Sequence, residues 1–279
     1  MNKVWFVTGA SAGIGAEVAR AALRAGDRVV ATARNLEKLR SVLGAELAED
    51  RLALVSLDVA HEAQAKAAVE AAVSRFGRID VVVNNAGYSL LGNFETLTQE
   101  QIERQLATNF FGVVYVMRAV LPLMRRQRSG HVFNVSSLAG VVGFKHCSAY
   151  AASKFAVEGL SLSIAQEVEP FGIKVTLVEP GFIRTDLLAP QSALFGDLAI
   201  DDYGAPGDVA AYWGGLHHTQ GGDPAKLARA LLELAALAAP PKQFFAGSDA
   251  IAAITPALEA RLAEIEAHAE LSRSTDGSF

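Results

Sequence analysis

A phenol and an ammonium group lie four residues apart in Ser148-Ala-Tyr150-Ala-Ala-Ser-Lys154-Phe-Ala156. The stretch holds good helix formers and no Pro or Gly, which predicts a helix with Tyr150 and Lys154 on one face. A free phenol titrates near pH 10 and is a poor base at neutrality. A fixed cation beside it favours the phenolate. Bringing the phenol to neutrality takes roughly 3 pKa units, about 4 kcal/mol. One cation at ~4–5 Å in a partly dry cleft supplies energy on that scale. The pair therefore predicts a general acid–base, provided the chain builds a cofactor site around it. Taken alone it also reads as two residues of an ordinary amphipathic helix.

The elements that must position this pair follow a regular order. Residues 3–8 form an apolar run of strand formers, followed by Gly9-Ala-Ser11-Ala-Gly13-Ile14-Gly15 and a helical pattern to Ala25. Residues 28–33 read as the second strand. A glycine loop between a strand and a helix brings backbone N–H groups and a helix N-terminus to a pyrophosphate. The spacing is G-x-x-x-G-x-G rather than the commoner G-x-G-x-x-G. Strands are then expected at 51–57, ending in Asp58, at 79–83, ending in Asn84-Asn85-Ala86-Gly87, at 131–135, ending in Ser136-Ser137, and at 173–178, ending in Glu179-Pro180-Gly181. Helices are expected at 62–76, closed by Gly77, from Thr98 to about 126 with Glu100 and Gln101 near capping-box position, and from Tyr150 to Glu169-Pro170. Alternation of this kind predicts an α/β fold, a Rossmann-like doubly wound parallel sheet of about seven strands flanked by helices.

The segment 186–222 breaks the alternation. It is rich in glycine and carries Phe195, Tyr203, Tyr212 and Trp213, the composition of a substrate lid or binding loop. Residues 223–279 are expected to give a helix at 225–239, an edge strand at 243–246 and a last helix. Thr255-Pro256 would be the N-cap and first residue of that helix, which runs to about Leu271. Residues 272–279 read as a tail whose Phe279 is a candidate for docking on a neighbouring subunit. No linker or repeat divides the chain, so 1–279 is read as one domain.

Composition narrows the function classes. With 279 residues, 51% of them apolar, the chain is long enough for one large core. A net charge of −5 and the lack of any basic block argue against nucleic acid as a partner. The lone Cys147 cannot form an internal disulfide, which fits a reducing, cytoplasmic setting. No run approaches the roughly 18 apolar residues of a membrane span, and the start of the chain does not read as a secretory signal, so no membrane association is expected. His217-His218 lacks further ligands at metal spacing, so no metal is assigned.

Ligands of open parallel sheets sit at the carboxyl ends of the strands. Gly9 to Gly15, Arg34, Asp58, Asn84 to Gly87, Ser137 and Pro180-Gly181 all fall at such ends. At these residues the chain resembles the short-chain dehydrogenase/reductase family. The likeness is carried by Thr8-Gly-Ala-Ser-Ala-Gly-Ile-Gly15, Asn84-Asn-Ala-Gly87, Asn109, Ser137, Tyr150-x-x-x-Lys154 and Pro180-Gly-Phe-Ile-Arg-Thr185, and it covers residues 1 to about 190. The resemblance implies that Tyr150 is the general acid–base. It implies that Lys154 lowers the Tyr150 pKa and holds the nicotinamide ribose, that Ser137 holds the substrate oxygen, and that Asn109 anchors a proton-relaying water. Ser136 is the alternative to Ser137, but strand alternation points the two oppositely and the spacing to Tyr150 favours Ser137. The resemblance further assigns Gly9, Ser11, Gly13, Ile14, Gly15, Asn85, Ala86, Gly87, Pro180 and Gly181 to the cofactor. Asp58 and Val59 would flank the adenine, and Ile183 and Thr185 would meet the nicotinamide carboxamide.

The second strand ends in Ala33-Arg34-Asn35, with a guanidinium where an NAD enzyme usually carries a carboxylate. That suits a 2′-phosphate and favours NADP(H). NAD(H) remains the alternative, because Ala12 stands where many NADP-preferring relatives carry a basic residue. The substrate wall would come from 88–94, 138–147, Phe182 and the lid, with Leu138, Phe144, Phe182 and Leu187 as contacts. His146 and Cys147 read as a loop histidine and a small buried cysteine. A mostly apolar wall points to a hydrophobic ketone or aldehyde, or the corresponding alcohol. Rival readings are a 3-oxoacyl-thioester or hydroxysteroid reductase on the same fold, and a non-catalytic dinucleotide sensor. A sensor would be expected to have lost Tyr150, Lys154 or Ser137. The resemblance also implies a homodimer or homotetramer built on the helices at 98–126 and 149–169.

Overall fold

Nine strands alternate with ten helices in a computed structural model that describes residues 2–44, 50–189, 192–205 and 207–277. The strands are β1 (Val4–Val7), β2 (Arg28–Ala33), β3 (Leu52–Ser56), β4 (Val81–Asn84), β5 (Leu90–Leu91), β6 (Gly130–Val135), β7 (Ile173–Pro180), β8 (Leu194–Phe195) and β9 (Gln243–Ala246). The helices are α1 (Gly13–Arg24), α2 (Leu36–Leu43), α3 (Glu62–Phe76), α4 (Gln99–Leu106), α5 (Gly112–Gln127), α6 (Ser148–Val168), α7 (Asp208–Gly214), α8 (Pro224–Ala236), α9 (Ser248–Ala267) and α10 (Ala269–Arg273).

Seven strands form one parallel sheet in the order β3-β2-β1-β4-β6-β7-β9. The order reverses between β1 and β4, which opens a crevice at their carboxyl ends. Both faces of the sheet are covered, so its strands are apolar runs rather than alternating ones. Within β1, Trp5 and Val7 face the α1 and α8 side, while Phe6 faces α3, α5 and α6. A two-stranded patch, β5 with β8, ties the lid to the region after β4.

Several local expectations hold. Thr98 caps α4, with Gln101 completing a reciprocal capping box. Gly77 closes α3 in the left-handed conformation. The helix expected from Thr98 is continuous but widens into a π-turn at Ala107–Phe111, between α4 and α5. By length and composition the combined span Gln99–Gln127 could cross a membrane, a feature missed by the expectation of no such span. Here it is laid against the sheet, burying Val113, Val116, Met117, Val120 and Met124.

Two expectations about the C-terminal part are corrected. Thr255-Pro256 does not start the last helix; α9 begins at Ser248 after Gly247, and Pro256 lies inside it. The carbonyl that Pro256 leaves without a helical donor belongs to Ala252, whose exposure lets water serve instead. The segment 186–222 holds more structure than its composition suggests: β8, α7 and short 3-10 turns at Asp186–Leu188 and Asp201–Tyr203. Phe279 lies outside the described residues.

Candidate active site

The glycine loop and the end of β4 are locked together. Thr8 Oγ1 accepts hydrogen bonds from the backbone N–H of Asn85 at 2.9 Å and of Ala86 at 3.0 Å. Asn85 Nδ2 donates back to the carbonyls of Thr8 at 3.0 Å and Gly9 at 3.2 Å. The closeness is possible only without side chains. A Cβ on Gly15 would lie 2.5 Å from Asn85 Nδ2 and 2.6 Å from the Gly9 carbonyl oxygen. Gly9 itself takes a left-handed φ of 66°. Ala12 caps α1 with no side-chain hydrogen bond, so the first-turn N–H groups of α1 have no side-chain acceptor there. Such a terminus suits an anion.

Arg34 leaves the end of β2 exposed, and among the described residues it forms no ion pair. Its positive charge is felt at the Tyr88 phenol across the crevice. Asn35 beside it caps α2 through a bond from the Lys38 N–H at 2.9 Å. Asp58 Oδ1 accepts from the Ala60 N–H at 3.1 Å. Val59 is buried against α5, where a Cβ on Gly112 would lie 2.7 Å from Val59 Cγ2. On the far side, Thr185 comes close to the glycine loop: a Cβ on Gly13 would lie 3.1 Å from Thr185 Cγ2. Ile183 bridges to Gly222, closing the lid's two ends together. Asp249, not among the expected residues, accepts at Oδ2 from the Phe182 N–H at 2.6 Å and so holds the turn after Pro180-Gly181.

Ser137, Tyr150, Leu138, Phe144, Phe182 and Leu187 line one cleft of about 560 Å³, part of it open to solvent. The four residues expected to meet substrate thus line the same cleft as Ser137 and Tyr150. Ser89, Leu91, Cys147, Leu188, Trp213 and Gln220 complete much of the wall. Cys147 was read as core. It is buried, with its thiol pushed up to about 12 by burial, and yet it borders the cleft. His146 instead bonds Asn93 Oδ1 through Nδ1 at 2.9 Å. Strand alternation separates Ser136, which is buried, from Ser137, which reaches the cleft. Among the described residues no three His, Cys, Asp or Glu side chains gather as a metal site would require.

Lys154 Nζ lies 5.7 Å from the Tyr150 ring centroid and donates to the Val135 carbonyl at 2.8 Å. The expected phenolate is not the form this arrangement favours. Burial raises the Tyr150 pKa above that of a free phenol, the hydrogen bond with Ser137 lowers it in part, and the Cys147 thiol adds to the rise. Burial pushes Lys154 down to about 8, and the Glu158 charge partly restores it. Removing a phenolate from water outweighs a cation that is turned toward a carbonyl. Tyr150 is therefore held as a phenol.

Asn109 is buried in the π-turn, and its amide is fully engaged. Its Oδ1 accepts from the Tyr88 N–H at 3.1 Å, and its Nδ2 donates to the Tyr88 carbonyl at 3.0 Å and to Ser153 Oγ at 3.2 Å. The side chain fastens the loop after β4 to α6.

The short chain dehydrogenase family profile matches residues 3–193. The chain belongs to the short-chain dehydrogenase family. It is an oxidoreductase of that family with a Rossmann-like parallel sheet. This short-chain dehydrogenase is 41% identical over 275 residues to oxidoreductase BOA17 of Botryotinia fuckeliana, covering 98% of each chain. Among solved structures, a short-chain dehydrogenase from Streptomyces avermitilis superposes with a TM-score of 0.90 at 39% identity, over 99% of this chain and 100% of that one. The closed form of serine dehydrogenase complexed with NADP+ gives a TM-score of 0.73 at 27% identity, over 87% of this chain and 93% of that one.

Proposed function

We propose that this short-chain dehydrogenase interconverts a hydrophobic ketone or aldehyde and its alcohol with NADP(H), reduction being the favoured direction. The observation that carries this reading is the meeting of Ser137 and Tyr150 on the wall of an apolar cleft, with Lys154 one helical turn behind. The cradle fits a dinucleotide: Gly9 and Gly15 leave room where a Cβ would collide with neighbouring groups, and α1 offers N–H groups to a pyrophosphate. Arg34, exposed and unpaired among the described residues, would hold a 2′-phosphate. The NADP+ complex of serine dehydrogenase supports the same choice by analogy.

When bound, the cofactor supplies the hydride. Ser137 holds the substrate oxygen, and its hydroxyl steadies the charge that develops there. Tyr150, kept as a phenol by its burial, gives its proton to that oxygen. Lys154 is placed to hold the ribose hydroxyls and to keep positive charge near the phenol. Leu138, Phe144, Phe182 and Leu187 exclude water around the reacting carbon. Asn109 keeps α6 and the loop after β4 in register through Ser153 and Tyr88. The 3-oxoacyl-thioester and hydroxysteroid readings share this chemistry and differ only in substrate. A non-catalytic sensor has no use for the retained Ser137, Tyr150 and Lys154. Exposed Phe111, Phe155 and Leu162, beside α5 and on α6, support pairing of subunits there, which light scattering checks.

Fluorescence titration with NADPH and NADH, followed by a ketone and aldehyde panel, tests the proposal. NADPH is expected to bind at least about tenfold tighter, as charge-assisted hydrogen bonds to a phosphate would give. Arg34→Asp is expected to abolish or reverse that preference. Equal binding of NADH by the wild type would overturn the 2′-phosphate assignment.

A further inference from the structure

Two carboxyl groups lie beneath the catalytic floor and take no part in the chemistry above. Glu158 sits one helical turn beyond Lys154 on α6, and Glu179 sits near the end of β7, just before Pro180. Glu158 is 7% exposed and Glu179 is 0% exposed. Both oxygens of Glu158, Oε2 of Glu179 and the Ser136 hydroxyl are buried without a hydrogen-bond partner. Gly140 closes the cluster, since a Cβ there would lie 2.5 Å from Ser136 Oγ and 3.1 Å from Glu158 Oε1. From β9, Gln243 Nε2 donates to Glu179 Oε1 at 2.8 Å.

Isolated buried carboxylates are strongly disfavoured unless they are paired or protonated. Two carboxylates in contact can only accept, whereas one proton between them turns a repulsive contact into a hydrogen bond. Glu158 and Glu179 are near enough for each to feel the other, and Ser136 Oγ and Glu158 Oε1 flank the same spot beside Gly140. Burial raises both groups, Glu179 to about 8 with the Glu158 charge adding to the rise. Lys154 is the cation felt at Glu158, and its attraction favours one remaining negative charge there. The groups met from the surrounding elements are Lys154 on α6, Ser136 after β6 and Gln243 on β9, of which only Lys154 is ionic.

We propose that Glu158 and Glu179 share one proton and act as a single anion that keeps Lys154 cationic, making them a positioning pair for the Tyr150 proton transfer. The role given to Lys154 rests on the reductase reading above; the shared proton does not. Glu158, one turn along α6 from Lys154, carries the charge that Lys154 feels.

Infrared spectroscopy of the wild-type protein at neutral pH, in light and heavy water, tests the shared proton without substrate. A protonated-carboxyl band is expected, and Glu179→Gln is expected to lose it. Lack of the band in the wild type would overturn the proposal, whether or not any variant folds. The pH dependence of kcat for ketone reduction tests the coupling to Lys154. Glu179→Gln is expected to keep the wild-type basic limb, because Glu158 still carries the charge. The double variant Glu158→Gln/Glu179→Gln is expected to move that limb acidward by about one pH unit, a tenfold change in proton affinity. A double variant with a slower rate but an unmoved limb would overturn the proposal and mark the pair as structural. Since the band is read without turnover, its failure and a failure of the reductase reading are told apart.

Discussion

Asn85 and Gln220 each tie one loop of the site to another, and they do so under different constraints. Asn85 Nδ2 reaches two carbonyls, at 3.0 and 3.2 Å, in a place where Gly15 has no room for a methyl group. Gln220, at the end of the lid, reaches the Thr185 carbonyl at 3.4 Å and leaves its buried Oε1 unpartnered. Nearby, the Trp213 indole N–H is buried and unpartnered as well. The cofactor edge is thus over-determined by short backbone contacts. The segment 186–222 is joined through the β5–β8 pair, Gln101 Nε2 to the Phe195 carbonyl at 2.8 Å and an exposed hydrogen bond from Tyr203 to Glu95, and it leaves buried polar atoms without partners. Under the proposed function the first edge would answer to a constant ligand and the segment 186–222 to whatever substrate enters, the usual division between scaffold and specificity loops.

The contrast can be broken in three places. The largest expected effect is at the chemistry itself. Tyr150→Phe should lower kcat by about 10²- to 10⁴-fold, the usual worth of a general acid, while NADPH still binds. The wild-type rate of reduction should hold at low pH and fall as pH rises through about 8, since Lys154 keeps its charge below its lowered pKa and loses it above. Next comes Gly15→Ala, which forces a methyl group to within 2.6 Å of the Gly9 carbonyl oxygen. Overpacking of this kind destabilises by about 1–3 kcal/mol. Thermal melting should fall accordingly, and cofactor binding should weaken for every substrate alike. The smallest effect should come from Trp213→Ala in the lid, with cofactor affinity unchanged and kcat/KM altered several-fold in a substrate-dependent way. A lid variant that weakened NADPH binding as much as Gly15→Ala would erase the distinction between the two regions.

What the sequence reveals follows the same division. The glycine spacing, the Tyr150–Lys154 separation and the β–α alternation are local patterns, each with a backbone or helix-face requirement behind it, and the structure bears them out. The Thr98 capping box and the Gly77 stop are equally local. Asp249 was invisible because it lies 67 residues from the Phe182 N–H it holds, and nothing in its neighbourhood announces that partner. The Tyr150 phenol was misjudged as a phenolate because spacing reports the nearby cation and says nothing of burial, which is the stronger influence. The bonds of the Asn109 amide to the Tyr88 backbone and Ser153 were not legible, because those partners come from elements that only the fold brings together. Pro256 misled as a helix start because the exposure of Ala252, four residues before it, relieves the usual penalty of an internal proline.

Hydride transfer itself gives the most direct test of the account. Wild-type protein would be incubated with NADPH deuterated at the transferable position and a hydrophobic methyl ketone, and the product examined by mass spectrometry and NMR. The account predicts an alcohol carrying one deuterium on its carbinol carbon, with formation nearly abolished in Tyr150→Phe. A wild type that binds NADPH tightly but moves no deuterium to any ketone or aldehyde of a broad apolar panel would contradict it, and would leave a dinucleotide sensor as the better description.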